Sequence, residues 1–360
     1  MPISKRNQLI GLDIGSHSIK LVEIDHTKKG MVLKNFGVIG LPEDAISEGT
    51  IKEMEIVASS IKTLYKNLKI KNKNVATSIS GYSVIVKRIS IPKREETELE
   101  STIQDEAEQY IPFDINDVNL DYDILSVSEE SPEDKEEGEK GDLMDIMLVA
   151  AKKDIVDDYV GLLHLAGLNP AVLDVDAFSL QNAFEASYED ITGCYAIVNV
   201  GAEELGINAI KDGISLFTRD SSYGGFQINQ AIMEKFDVTY EEAERIKLGE
   251  QREDLDLEAL EEIFTSVTAE WVSEIKRALD FLSTTYPDES IEKIFLCGGS
   301  CRLPGFRKYL AIETEIPVEE FNPFVNLSIK EKNFDPKYLT YVAPQAAVAV
   351  GLALRSVGDK

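Results

Sequence analysis

Leu9-Ile10-Gly11-Leu12-Asp13-Ile14-Gly15-Ser16-His17-Ser18-Ile19-Lys20 reads as an apolar strand running into a glycine turn. Ile19, Leu21 and residues 22–24 fit the strand that returns from it. Lys29-Gly30 supplies a second turn, and residues 31–38 a third strand. The pattern recurs half a chain later. Leu12-Asp13-Ile14-Gly15-Ser16 aligns with Val198-Asn199-Val200-Gly201-Ala202, residues 21–24 with 207–210, Lys29-Gly30 with Asp212-Gly213, and 31–36 with 214–218. Asp-Gly favours the type I′ geometry of a tight hairpin. An internal repeat of this kind predicts two similar halves. Facing each other, they would place two glycine turns around one ligand.

Between the halves, residues 50–68 carry Met54, Val57, Ile61, Leu64, Tyr65 and Leu68 at helical spacing. Residues 75–167 alternate strands with two helices and read as an inserted α+β subdomain. Gly167 and Pro170 stop the second of those helices. Residues 127–141 are almost free of apolar side chains and rich in Glu, so they are expected to form a disordered acidic tip. The expected division is a first lobe of 1–74 and 168–192, the insertion, and a second lobe of 193–360 with a smaller part at roughly 222–288. Thr239 and Glu242 predict a capping box. Residues 257–286 predict a long amphipathic helix and 343–354 an apolar one.

The chain has 360 residues, 37 Lys and Arg against 65 Asp and Glu, and a formal charge of -28. That balance argues against nucleic acid and against an anionic membrane surface as partners. Three cysteines and three histidines argue against a disulfide framework and a zinc site. No apolar run of transmembrane length and no secretory apolar segment is present, so a cytoplasmic protein is expected.

Three glycine turns each follow an apolar strand: Asp13-Ile14-Gly15-Ser16-His17-Ser18-Ile19-Lys20, Asn199-Val200-Gly201-Ala202-Glu203 and Cys297-Gly298-Gly299-Ser300. Glycine lets backbone amides approach an anion and form a concave nest. Ser16 and Ser18 add hydroxyls, Lys20 a positive charge, and Asp13 can hold a divalent ion through water. One such turn is commonly a plain hairpin. Three, two of them related by a repeat, indicate a nucleotide cleft.

These residues, with Gly298–Gly305, resemble the actin/Hsp70/hexokinase superfamily. The resemblance implies an α/β, ribonuclease H-like, duplicated two-lobe fold in which the first two turns embrace phosphates and the third lies by the adenosine. Gly224-Gly225 and Ala243-Glu244-Arg245-Ile246-Lys247 are similar to the glycine pair and helix beside the nucleoside in bacterial members. Residues 10–23, Tyr110-Ile111-Pro112-Phe113, residues 150–184 and 341–355 narrow it further. They resemble the PilM family, the FtsA-related cytoplasmic components of type IV pilus assembly, and the match runs over nearly the whole chain. The insertion then corresponds to the SHS2-type subdomain shared with FtsA.

This resemblance implies ATP or ADP with Mg²⁺ between the lobes. It implies capture of the N-terminal cytoplasmic tail of PilN in a groove between the first lobe and the insertion. Through PilN the chain would link the PilO–PilN inner-membrane platform to the pilus motor ATPase in twitching motility. The nucleotide set it implies is Gly15, Ser16, His17, Ser18, Lys20, Gly201, Ala202, Glu203, Gly224, Gly225, Glu244, Lys247, Gly298, Gly299, Ser300 and Arg302. Asp13 and Asp176 are the metal candidates, through water, and Asp13 and Asn199 the catalytic ones.

Several residues admit a plainer reading. Lys20 is a phosphate ligand or a solvated charge, and His17 a base or a turn residue used for its amide. Asp176 is a metal ligand or a helix cap, and Glu244 and Lys247 a nucleoside contact or an exposed pair. Arg302 stacks on adenine or faces solvent. Asn199 stands where Asp is common, and an amide cannot take a proton. Loss of a general base costs roughly 10²–10⁴ in rate, so slow or absent hydrolysis is expected. Glu203 and Glu204 aimed at phosphates would repel them. Rival expectations are an MreB-like or FtsA-like filament, a small-molecule kinase, and the related type II secretion platform protein. The kinase lacks its carboxylate base, the charge disfavours self-association, and FtsA and the secretion protein would carry a membrane-binding segment after Arg355.

Overall fold

The computed structural model describes residues 7–128, 142–188, 191–250, 252, 255–330 and 332–359. The chain begins with a meander, β1 (Ile10–Ile14), β2 (Ser18–Thr27) and β3 (Gly30–Gly40), followed by a minimal hairpin of β4 (Ile46–Ser47) and β5 (Thr50–Ile51). Helix α1 (Met54–Leu68) leads into β6 (Asn74–Ile79), which returns parallel to β1. Next come β7 (Val84–Pro92), α2 (Glu96–Ala107), β8 (Val118–Ser128) and β9 (Leu143–Lys152). Helix α3 (Lys153–Leu165), β10 (Asn169–Val175) and α4 (Asp176–Ser187) complete the first half. The second half opens with β11 (Cys194–Val200), β12 (Leu205–Lys211) and β13 (Ile214–Ser221). It continues through α5 (Gly225–Phe236), α6 (Tyr240–Lys247), α7 (Leu257–Thr285), β14 (Ile291–Cys297), α8 (Phe306–Thr314), β15 (Val318–Glu320), α9 (Pro336–Val342) and α10 (Ala347–Leu354).

The two main sheets share one plan. Their orders are β10-β6-β1-β2-β3 and β15-β14-β11-β12-β13. In each, a central strand has an antiparallel meander on one side and two parallel strands on the other. The registers carry the repeat through: Asp13 faces Lys20, and its counterpart Asn199 faces Gly206. Asp212 and Gly213 both have positive φ, +49° and +80°, as a type I′ turn requires.

The sheet pairing moves two expected boundaries. β6 pairs with β1 and β10, and α3 buries Ile155, Tyr159, Leu162 and Leu163 in the same core as α1. Residues 75–79 and 153–167 therefore belong to the first lobe, and the insertion is the three-stranded sheet β7-β9-β8 with α2. Alternating apolar residues look the same whichever sheet they join. The insertion has its own small core around Ile89, Leu99, Ile103 and Ile146. The segment 222–288 does not stand apart: Ile228, Ile232, Ile246 and Trp271 share a cluster with Ala196 and Val198 of the second sheet. Of the expected acidic tip, 129–141 lie outside the described residues, and β8 reaches Ser128.

Local signals explain the helix ends. α1 buries Val57, Ala58, Ile61, Leu64 and Tyr65 on one face and ends at Lys69 in the left-handed conformation. α3 ends with Gly167 at φ +77°, its N–H donated to His164 and that of Leu168 to Leu163, a Schellman closure. The capping box of Thr239 and Glu242 is formed. α10 is buried throughout its first seven residues and packs on α4 and β1. That approach needs glycine on both sides. A Cβ on Gly11 would strike the Ala349 carbonyl, and one on Gly351 the Ser179 carbonyl. Gly351→Ala is expected to push α10 off α4 and lower stability by about 1–3 kcal/mol, read as a reduced urea midpoint with unchanged slope.

Candidate functional site

Between the lobes lies a cavity of ≈ 900 Å³. Its walls include Asp13, Gly15, Ser16, His17, Ser18 and Lys20 of the first turn and Asn199, Gly201, Ala202 and Glu203 of the second. Gly224, Glu244, Lys247, Gly298, Gly299, Ser300, Arg302 and Asp176 complete the expected set on that wall. Gly225 sits behind it, packed against Ser300 and Lys247.

Backbone bonds knit the turns together. Gly15 N–H donates to the Ser18 carbonyl at 3.2 Å and Gly201 N–H to the Glu204 carbonyl at 2.8 Å. The third turn is fastened to the second, since Ser300 N–H donates to Val200 and its hydroxyl to the Gly201 carbonyl at 2.8 Å. Gly225 and Phe226 donate to Gly201 and Ala202. Gly298 has φ +88°, and a Cβ there would meet Val200 and Asn199.

Individual side chains settle some alternatives. Lys20 Nζ is 3.3 Å from Asp13 Oδ2, so it is a paired charge inside the cleft. His17 shares a hydrogen bond with Tyr240 across the cleft at 3.1 Å, so its ring matters as well as its amide. Glu244 and Lys247 pair at 2.6 Å, largely shielded from solvent, and Asn229 donates to Glu244. Asp176 is the first residue of α4, with Val175 in the N-cap position, and its carboxylate accepts from Ser78. Arg302 lines the cavity as a paired charge, not a freely solvated one. Its guanidinium is held by Glu320 at 2.7 Å and by the carbonyls of Thr340 and Tyr341.

Other contacts cross from lobe to lobe. Glu203 accepts from the Ser16 hydroxyl at 2.7 Å and from Glu48 N–H at 2.9 Å. Glu204 accepts from Ser80 at 3.3 Å, and Asp220 from Gly81 N–H at 3.0 Å. Sequence reasoning had not placed Glu48, Ser80, Asp220 or Tyr240 here. Tyr240 follows a legible cap, and Asp220 lies opposite Gly206, one residue before the end of β13.

A family model for the type IV pilus assembly protein PilM matches residues 11–357. The chain belongs to the PilM family. It is similar to the solved PilM–PilN type IV pilus biogenesis complex, at 29% identity and a TM-score of 0.84, covering 96% of this chain and 98% of that one. Two further likenesses concern the fold alone. The ethanolamine utilization protein EutJ from Carboxydothermus hydrogenoformans has 14% identity, a TM-score of 0.54 and coverage of 99% and 92%. MreB5 of Spiroplasma citri, bound to AMPPNP, has 12% identity, a TM-score of 0.50 and coverage of 97% and 95%. The fold is thus the expected actin-like one, and the role of this PilM-family chain lies in type IV pilus assembly. Among the described residues no helix is long and apolar enough to cross a membrane.

The floor of the cleft in this PilM-family chain is crowded with carboxyls. Burial raises Asp13 above its ordinary range, against the pull of Lys20. Asp176 is pushed up to about 7, by burial first and then by the charge of Asp13. Glu204 is raised well above normal by burial, then by Asp220 and Asp176, and shares a hydrogen bond with Asp220. One carboxyl of that pair therefore holds the proton. Beside α6, burial lowers His17, so its imidazole is neutral at pH 7. Burial would raise Glu244, but Lys247 and the hydrogen bonds from Lys247 and Asn229 hold it down.

The raised Asp176 fixes the sign of a pH effect. The folded protein keeps a proton that the unfolded chain releases above its ordinary pKa of 3.8. Stability from this group is complete below that value and is lost as pH rises to about 7. Asp176→Asn has no such loss. Its stability relative to wild type should grow from pH 5.5 to 7.5, by at most about 1.4 kcal/mol per pH unit, and then level off. Thermal melts across that range measure it.

Proposed function

We propose that this chain is a nucleotide-binding adaptor of type IV pilus assembly with little or no hydrolysis. The observation that carries the reading is the convergence of three glycine turns and the Glu244–Lys247 pair on one interlobe cavity. The first turn would take phosphate through its backbone and the Ser16 and Ser18 hydroxyls. Glu244, shielded and fixed by Lys247 and Asn229, is suited to accept from ribose hydroxyls.

The residues also fit Mg²⁺. Asp13 and Asp176 are close enough for one charge to raise the other's pKa, a repulsion that a divalent cation removes. Among the described residues no three such side chains converge to hold a metal by themselves, so Asp13 and Asp176 would act through water, beside phosphate. Bound there, the cation supplies neutralisation of phosphate charge. Asn199 orients but takes no proton, and the Cys297 thiol lies 3.8 Å from its side-chain oxygen. Slow turnover follows from that amide.

The partner of the related complex suggests the rest. A PilN N-terminal tail would lie between the first lobe and the insertion, tying the PilO–PilN inner-membrane platform to the cytoplasmic motor. The chain would then work in the cytoplasm, peripheral to the inner membrane. A ligand shifts the lobes only by its differential affinity for open and closed states, so nucleotide gates the adaptor only if it favours one of them.

Calorimetry with ATP and ADP, with and without Mg²⁺, tests this, followed by a synthetic PilN N-terminal peptide in the same cell. Micromolar ATP binding, about −8 kcal/mol, is expected, weakened at least about tenfold in Asp13→Ala, together with peptide binding. Peptide binding alone would leave a scaffold without a nucleotide gate, and binding of neither ligand would overturn the proposal. Asn199→Asp should raise phosphate release above wild type, approaching the roughly 10²-fold lower bound of general-base catalysis. An unchanged rate would remove Asn199 as the cause of slow turnover.

A further inference from the structure

The contact between Glu203 and the first turn joins three segments that are far apart in sequence. One carboxylate oxygen, Oε2, takes both the Ser16 hydroxyl at 2.7 Å and the Glu48 amide at 2.9 Å. Ser16 belongs to the first glycine turn, and Glu203 to the second, in the other lobe. Glu48 and Gly49 form the two-residue tip between β4 and β5, and both have positive φ, +49° and +73°. A left-handed conformation is uncommon for a side chain such as Glu. Here it forms the tip from which the amide of Glu48 reaches Glu203. The hairpin is further tied to α3, since the Tyr159 hydroxyl lies 3.5 Å from the Gly49 carbonyl.

One anionic oxygen accepting an O–H and an N–H together is the arrangement by which turns of this kind hold a phosphate oxygen. The repeat sharpens the point. Where the first turn has Ser16, the second has Ala202, with no hydroxyl of its own. The next residue, Glu203, instead reaches over and occupies the Ser16 hydroxyl.

We propose that Glu203 is a displaceable intramolecular ligand of the first turn. Its carboxylate stands in for a phosphate group, holds the lobes together without nucleotide, and must leave before a nucleoside di- or triphosphate can use Ser16 and the Glu48 amide. Nucleotide then replaces an existing bridge between the lobes and does not create the first one. The competition half of this proposal rests on the nucleotide reading above, while the bridging half does not.

The test has two arms. Spin labels on Ser59→Cys in α1 and Lys235→Cys in α5, both exposed positions, report the distance between lobes by pulsed electron resonance. A fluorescent ATP analogue with Mg²⁺ reports affinity. Without nucleotide, Glu203→Ala should widen and broaden the interlobe distance, and Ser16→Ala should do so to a lesser degree because the Glu48 amide remains. Glu203→Ala should bind the analogue at least tenfold more tightly than wild type. Glu203→Gln keeps the size and an acceptor oxygen but loses the charge. It should hold the lobes near the wild-type distance and still gain affinity, and it serves if the alanine variant does not fold. An unchanged distance in Glu203→Ala would overturn the bridge, and equal or weaker analogue binding would overturn the competition. If neither wild type nor variants bind the analogue, the nucleotide reading fails, and the distances alone still decide whether Glu203 is the bridge.

Discussion

The close seating of α10 between α4 and β1 is the constraint on which the rest of the molecule depends. It is a contact of backbones, made possible by Gly11, which faces Ala349 and Ala353 of α10, and by Gly351, which faces Ser179 of α4. The cluster around it takes Val22, Ile24 and Leu33 from the first sheet, and Ile197, Ile210 and Phe295 from the second. The lobes therefore share a core at their base and diverge above it. The third glycine turn is fixed to the same base, since Gly298 N–H donates to the carbonyl of Pro344, at the entry to α10. The base of the cleft is thus fixed from below, by packing in which a Cβ on Gly11 or Gly351 would clash.

Above that base the dominant force changes from packing to charge. Asp13, Asp176, Glu204 and Asp220 share a poorly solvated space, with Lys20 as the cation beside Asp13. Carboxyls in such a place keep protons or acquire partners. Here they do both: Glu204 and Asp220 share a hydrogen bond, and Ser78, Ser80 and Gly81 donate to the group. The second lobe is the source of Glu203, Glu204 and Asp220, and the first lobe supplies most of the donors. Second-lobe carboxyls and first-lobe donors thus join the two lobes across the cleft.

Much of this was legible in the sequence. The repeat at Asp13 and Asn199 gave the duplicated sheet, because a strand, a glycine turn and a return strand are set by local backbone rules. The caps at Thr239 and Gly167 were legible for the same reason. The boundary at residue 75 was not, because β6 carries the same alternation whether it pairs with β1 or with the insertion. The ion pair and carbonyl contacts of Arg302 gave no signal, because Glu320, Thr340 and Tyr341 are brought to it by the fold alone. Glu48 and Asp220 gave no signal: each matters through a residue more than a hundred positions away.

The bond from Gly81 N–H to Asp220 has one further consequence. Gly81 has φ +76° and lies at the joint where β6 of the first lobe gives way to β7 of the insertion. A Cβ there would press on the Glu204 carboxyl. The insertion is therefore jointed against the second lobe as well as carried by the first. Tilting the insertion would strain that bond in the floor of the cleft. Any coupling it carried would be reciprocal in free energy, so the joint would work as a balance with the insertion on one arm and the cleft floor on the other.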